Sequence, residues 1–256
     1  MEDRILITGG TGTLGRLVVP LLRERGHDVR ILSRRDGPGL VTGDLETGEG
    51  VADAAADATT IVHLAGSAKR DDVKARVLSE AAARAGARHL VYISVVGADR
   101  IPVVTGIDRA LFGYYAAKHE AERVIAGSGV PWTTLRATQF HDLLLKTFRA
   151  LARVPVVPVL SAVRFQPVDA RDVADRIAAL ALGPPAGLVP DLAGPRVYEM
   201  RDLLRGYLVA RRRHRLLVPM RQPGQAARAF RDGANLSPEH ADGRRTWEAF
   251  LAERVA

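Results

Sequence analysis

Thr8-Gly9-Gly10-Thr11-Gly12-Thr13-Leu14-Gly15 is a glycine-rich junction eight residues into the chain. Before it runs Arg4–Thr8, whose β-branched character reads as a strand, and after it Leu14–Arg25, which reads as a helix ended by Gly26. A strand feeding a helix through such a loop brings backbone N–H groups and the positive helix end together, and side chains at 9, 12 and 15 would block a pyrophosphate from reaching them. The stretch predicts a dinucleotide cradle; a merely tight strand-to-helix turn is the competing reading. Pro20 predicts a kink in the helix.

Outward from this junction, strands and helices alternate. Asp28–Ser33, a short strand before Gly43, Thr60–Ala65, His89–Val95 and Trp132–Arg136 read as strands, while Asp71–Ala85, closed by Gly86, and Tyr114–Ala126, stopped by Gly127, read as helices. Strands separated by helices of this length imply βαβ units and a parallel sheet covered on both faces. The expectation is an α/β, Rossmann-type, doubly wound fold over residues 1–150. Beyond residue 150 the rhythm changes: 154–158 and 183–185 are loop-like or edge-like, 169–182 and 198–210 helical, 233–242 turn-rich, and 244–253 a closing helix. Residues 151–256 are therefore expected to form a small C-terminal lobe on the substrate side, partly integrated with the first domain.

Composition fits a globular chain: 256 residues, 47% hydrophobic, 26% charged and mean hydropathy −0.01. With no cysteine there is no disulfide, thiolate metal site or Cys nucleophile. No metal-spaced His/Asp/Glu cluster and no Ser nucleophile elbow is evident. The apolar segment Ile5–Ile7 is too short for a signal-peptide core, and no apolar run reaches the roughly 18 residues of a membrane span. A cytoplasmic protein without a membrane partner is expected. The net charge of +8 is concentrated in residues 201–256, where 12 Arg face six acids around Arg211-Arg212-Arg213-His214-Arg215. Lacking interleaved aromatics, this run reads as a solvated helix end, and nucleic acid is not an expected partner.

The second strand ends in Ser33-Arg34-Arg35, where a carboxylate for adenosine ribose hydroxyls would favour NAD. Two guanidiniums and a hydroxyl suit a 2′-phosphate, so NADP(H) is the preferred cofactor, with nearby Asp36 keeping NAD(H) open. The Asp44 carboxylate, beside Leu45, is suited either to the adenine amino group or to capping a turn.

These pieces resemble the short-chain dehydrogenase/reductase superfamily, in the extended and atypical branches that include the NmrA-like proteins. The resemblance is carried, in family order, by Thr8–Gly15, Gly43-Asp44-Leu45, His63-Leu64-Ala65-Gly66, Val91-Tyr92-Ile93-Ser94, Tyr114-Tyr115-Ala116-Ala117-Lys118, Ser128–Thr133 and Pro167–Ala174, over roughly residues 4–180. It implies that Leu64, Ala65 and Gly66 floor the adenosine and ribose, and that Ser94, Ala137 and Phe140 also lie against the cofactor.

Tyr114 and Lys118, four apart on one helix face, are the catalytic pair the resemblance implies. The ammonium is expected to lower the phenol pKa and to anchor the nicotinamide ribose while Tyr114 exchanges a proton with substrate. One departure stands out: Val96 occupies the position of the family's Ser or Thr, forfeiting a donor worth about 2–4 kcal/mol to a transition state. Val96, Phe112, Tyr114, Gln139 and His141 are the candidate substrate contacts, with the aromatics suggesting an apolar pocket. The expected activity is hydride transfer to or from a small, largely apolar carbonyl, imine or enone. The alternatives are a dinucleotide-sensing regulator without turnover, or a non-redox epimerase or cyclase on the same scaffold. A homodimer is compatible with the sequence.

Overall fold

The computed structural model describes residues 4–66 and 70–255; Met1–Asp3, Ser67–Lys69 and Ala256 lie outside the described residues. The elements run β1 (Arg4–Thr8), α1 (Gly15–Glu24), β2 (Asp28–Ser33), β3 (Leu40–Thr42), α2 (Val51–Ala55), β4 (Thr60–His63), α3 (Asp71–Arg84), β5 (His89–Val95), α4 (Gly106–Ala126), β6 (Trp132–Ala137), α5 (His141–Leu151), β7 (Val156–Leu160), β8 (Arg164–Phe165), α6 (Ala170–Leu182), β9 (Gly187–Leu188), β10 (Tyr198–Glu199), α7 (Met200–Ala210), β11 (Leu216–Met220), α8 (Gln225–Arg231) and α9 (Trp247–Arg254).

Seven strands form one parallel sheet in the order β3-β2-β1-β4-β5-β6-β9. The fold is α/β and Rossmann-like, and the strand order reverses between β1 and β4. That reversal leaves a crevice beyond the carboxyl ends of β1 and β4, the place where open parallel sheets bind ligands. The central strands read as near-continuous apolar runs because both faces are covered: Ile5, Leu6, Ile7, Ile61, Val62, Leu90 and Val91 are all buried. Helix α1 runs uninterrupted through Pro20, which is exposed.

The chain divides into two compact units that interleave along the sequence: residues 1–94, 113–136 and 173–190, and residues 95–112, 137–172 and 191–256. The first contains the sheet and a core of Leu6, Ile61, Leu78, Leu90, Tyr92 and Ile125 among others. In the second, α5, α7 and α9 pack Leu144, Phe148, Leu203, Tyr207, Trp247 and Phe250 against the inner face of a two-stranded parallel sheet, β7 with β11. The sequence reading of 154–158 as loop or edge becomes strand β7, whose partner β11 lies beyond the arginine run and was not anticipated. Two further differences are the start of α4, eight residues earlier than expected, and the replacement of the helical reading at Tyr198–Glu199 by strand β10, paired antiparallel to β8.

His141 sits inside the core of the second unit, fully buried, with its ring centroid 4.9 Å from that of Phe250 and 5.7 Å from that of Trp247. Neither ring nitrogen has a hydrogen-bond partner among the described residues. Burial lowers its pKa to about 4, against the opposing pull of Asp169, Asp172 and Glu248 and with a smaller contribution from Arg245. A neutral buried histidine with an ordinary unfolded-state pKa stabilises the fold fully above pH ~6.5 and loses that contribution as pH falls towards about 4. The expected slope is about 1.4 kcal/mol of unfolding free energy per pH unit in that window. Urea unfolding from pH 7 to pH 4 should show this slope reduced by about that amount in His141→Phe. An unchanged slope would mean that His141 is charged in the folded protein.

Candidate active site

The cradle is built by two loops that leave neighbouring strands. Gly9, with φ of 72°, follows β1, and Leu64-Ala65-Gly66 follows β4. A β-carbon on Gly9 would lie 2.6 Å from the Ala65 backbone nitrogen, and one on Gly15 would lie 2.3 Å from the Gly9 carbonyl oxygen. Real side chains do not survive such distances, so glycine is required at both positions for the turn to close. Gly12 is less constrained, with 3.2 Å to the Gly9 oxygen. Thr11, Gly12 and Thr13 are exposed, and Leu14 at the head of α1 supplies no side-chain cap. The loop and first turn are closed by backbone bonds, from the Gly12, Arg16 and Leu17 N–H groups to the Gly9, Gly12 and Leu14 carbonyls at 3.0 Å each, and no side chain caps the positive end of α1. These residues fit a dinucleotide pyrophosphate.

At the end of β2, Ser33 Oγ accepts from the Arg35 backbone N–H at 3.0 Å, and Arg34 and Arg35 are exposed. Asp36 is occupied by the Thr42 hydroxyl. Asp44 caps its own turn, accepting from the Glu46 N–H at 2.7 Å, while Leu45 is buried in the core of the first unit.

From the same crevice a polar chain runs inward. Thr8 Oγ1 and His63 Nδ1 are 2.6 Å apart, and the His63 ring stacks on Tyr92 at 5.3 Å. Burial, with Lys118 and Lys74 nearby, lowers the His63 pKa to about 3, so the ring is neutral, and its Nε2 has no partner among the described residues. Tyr92 OH accepts from Lys118 Nζ at 3.1 Å, the Ile93 carbonyl accepts from it at 3.0 Å, and Asp71 Oδ2 lies 3.1 Å from it. Lys118 and Asp71 are 3% and 1% exposed, so this is a buried ion pair in which all three ammonium donors have acceptors. Burial lowers the Lys118 pKa, and Asp71 counters that effect first, Glu122 after it. One turn along α4, Glu122 accepts twice from the Arg136 guanidinium, at 2.9 and 2.7 Å.

Tyr114 lies on the same helix with its ring centroid 5.9 Å from Lys118 Nζ and edge-on to Tyr115 at 5.7 Å; it is 37% exposed. The expected lowering of its pKa is reversed. Removal of water from the phenol, then the Asp71 carboxylate and Tyr115, hold it well above the ordinary value. The reason lies in the cluster: the Lys118 charge is matched by Asp71 and its hydrogen bonds go elsewhere.

Of the remaining candidates, Ser94 is buried with its hydroxyl unpartnered among the described residues. In the second unit, Val96 is fully buried and its N–H donates to the Ala137 carbonyl, so its side chain offers substrate no surface in this conformation. His141 likewise packs as a core ring. Phe112 packs on Phe230 at 5.7 Å, Gln139 is buried, Ala137 is buried, and Phe140 is half-buried at the head of α5. Sequence reasoning missed Asp71, which looks like any acid opening a helix, and Tyr92, whose position on a buried strand was legible but whose hydroxyl role was not.

The glycine cradle at the strand-order reversal is the hallmark of a dinucleotide-binding fold. The NAD(P)H-binding family profile matches residues 9–182, and the chain belongs to that family. It is 31% identical over 227 residues to a ceramide reductase of Caulobacter vibrioides, covering 79% of this chain and 68% of that one. It is 32% identical over 207 residues to a (4-alkanoyl-5-oxo-2,5-dihydrofuran-3-yl)methyl phosphate reductase of Streptomyces griseus, covering 77% and 70%. Among solved structures, an NADPH-dependent quinone oxidoreductase of Escherichia coli in complex with NADPH shares the fold at a TM-score of 0.80 and 17% identity, over 98% of this chain and 99% of that one. A short-chain dehydrogenase/reductase superfamily protein of Agrobacterium tumefaciens shares the fold at a TM-score of 0.75 and 19% identity, over 98% of this chain and 96% of that one.

The buried pair makes a direct prediction. Asp71→Asn leaves the Lys118 ammonium without its countercharge and should cost about 3–5 kcal/mol in denaturant unfolding. Adding Lys118→Met should recover a large part of that loss, since the double variant buries no unpaired charge. Additive losses would show that the two groups do not interact.

Proposed function

We propose that the protein is an NADPH-dependent reductase acting on a carbonyl, imine or conjugated enone of a small, largely apolar molecule, with residues 151–256 forming the substrate lobe. The observation that carries this reading is the close backbone packing of Gly9 and Gly15 at the strand-order reversal, the place where open parallel sheets bind dinucleotides. Two relatives of broad coverage are reductases by name, which supports the reductive direction.

Gly9, Thr11, Gly12, Thr13, Leu14 and Gly15 hold the pyrophosphate, and Leu64, Ala65 and Gly66 the adenosine side. Ser33, Arg34 and Arg35 take a 2′-phosphate: both guanidiniums are exposed and make no ion pair among the described residues. Ser94, Ala137 and Phe140 complete the cofactor contacts. The reduced dinucleotide, when bound, supplies the hydride.

Tyr114 is the general acid. A phenol held above its ordinary pKa is protonated at neutral pH and is suited to delivering its proton to the oxygen or nitrogen that gains charge as the substrate is reduced. Lys118 then faces the new phenolate as a nearby cation, and it reaches a ribose hydroxyl only by exchanging one of its present acceptors. Asp71 and Tyr92 position Lys118. The hydroxyl missing at Val96 leaves Tyr114 as the principal donor. Phe112 and Gln139 are proposed on the substrate side.

Tyr114→Phe should abolish turnover in a carbonyl and quinone panel while dinucleotide binding, followed by calorimetry, persists; turnover at the original rate would remove Tyr114 from its role. Gly15→Val should abolish binding itself. Arg34→Glu with Arg35→Glu should shift the ratio of kcat/KM for NADPH over NADH by about 10- to 100-fold toward NADH, the loss of charge-assisted bonds.

A further inference from the structure

The β7–β11 sheet of the second unit has two faces of different character. In register, Leu216 pairs with Val156 and Val218 with Pro158. Val157 and Val159 point into the core, and Leu217 packs on it. The alternate residues face outward: Val156, Leu216, Val218 and Met220 are 48, 64, 41 and 44% exposed. A sheet whose outer residues are aliphatic, where alternation ordinarily puts polar ones, presents a contiguous apolar surface to water.

The two strands of this sheet and their approaches carry charge of one sign, while exposed Glu199 lines the hollow beside Val159, Leu160, Leu217 and Pro219. Residues 152–161 and 211–223, which contain both strands and their approaches, include six Arg and no Asp or Glu. Arg153, Arg211, Arg212, Arg213 and Arg221 are exposed and make no ion pair among the described residues. Elsewhere in the same unit arginines do find carboxylates: Arg171 and Arg245 meet Glu253, Arg244 meets Asp172, and Arg254 faces Asp142. Five of the unit's exposed arginines without an ion pair among the described residues thus lie on the two strands' approaches, while others, Arg109, Arg149 and Arg201 among them, lie elsewhere in the unit.

We propose that the outer face of the β7–β11 sheet, with its arginine rim, docks on an anionic lipid bilayer. The aliphatic side chains enter the headgroup–acyl boundary, and the arginines pair with lipid phosphates. A second copy related by a two-fold axis would bring the same cations against themselves, and Pro158 and Pro219, which lack N–H donors, blunt the strands against edge pairing. A nucleic acid would satisfy the arginines but leave the aliphatic face in water, with no aromatic there on which to stack a base. The sequence alone reads the arginine run as a solvated helix end; only the register of β11 on β7 places it beside apolar surface. This surface is independent of the dinucleotide reading.

Co-sedimentation of the full chain with vesicles tests it. Vesicles of phosphatidylcholine with phosphatidylglycerol should retain the protein, and retention should fall steeply with salt, while phosphatidylcholine alone should not retain it. Replacing Arg211, Arg212 and Arg213 by Gln should weaken partitioning on the order of 100-fold, at about one surface-cation increment per arginine. Leu216→Ser with Val218→Ser, which keeps the charge, should weaken it by about tenfold or more. These side chains are exposed, so an unchanged unfolding midpoint is expected and checks each variant. Equal retention by neutral and anionic vesicles, or none by either, overturns the proposal. So does lipid-free self-association abolished by the serine variant, which would assign the face to a second copy, or duplex DNA binding that outcompetes anionic vesicles.

Discussion

Two backbones at the reversal point of the sheet approach too closely for side chains, and much of the first unit follows from that contact. With Gly9 against the Leu64–Ala65 peptide and Gly15 against Gly9–Gly10, the loops after β1 and β4 are held in one register. Thr8 and His63, the last residues of those strands, then meet at 2.6 Å, and His63 presents its ring to Tyr92 on the next strand. Tyr92 in turn offers its hydroxyl to Lys118. A requirement for glycine at two positions thus propagates through four side chains to the group nearest the proposed chemistry.

Burying an ammonium at the end of that chain is costly, and the fold meets the cost locally. Asp71 supplies the countercharge, and Tyr92 and Ile93 the remaining acceptors. Neutralising Lys118 in this way has a consequence for Tyr114. A free ammonium at this distance would favour phenolate, whereas one already paired leaves desolvation and the Asp71 carboxylate to dominate, and the phenol keeps its proton. The same ion pair that makes the lysine tolerable in the core therefore leaves the Tyr114 phenol protonated.

The sheet was legible because its signals are local. β1, β2 and β5 begin and end where the β-branched runs do, since each is bounded by a glycine, a turn or a polar cluster. The start of α4 was hidden by Gly106 and Gly113, which look like breakers; the helix is anchored from outside, by Asp108 bonding Thr105 and, 118 residues away, the Ala226 N–H. β11 was hidden because two prolines and an arginine run obscure a strand that exists only through its pairing with β7. Tyr114 and Lys118 were readable from a four-residue spacing. Asp71 was not, because nothing in Asp71-Asp72 tells which carboxylate turns inward: Asp71 does, and Asp72 stays half-exposed. The core packing of His141 was hidden for the converse reason, a polar type at a position whose neighbours in space are Trp247 and Phe250, more than 100 residues on.

Arginine shows how far composition is from function in this chain. One group closes ion pairs within the fold, as Arg136 does with Glu122 and Arg245 with Glu253. A second, Arg34 and Arg35, stands at the end of β2 where a cofactor phosphate is expected. A third borders an aliphatic sheet face and makes no ion pair among the described residues. Each arginine adds the same unit of positive charge, yet only the first group stabilises the chain by itself. The other two are exposed charge of one sign, whose mutual repulsion an anionic partner would relieve, and on the readings proposed above their part is in binding rather than in holding the fold together.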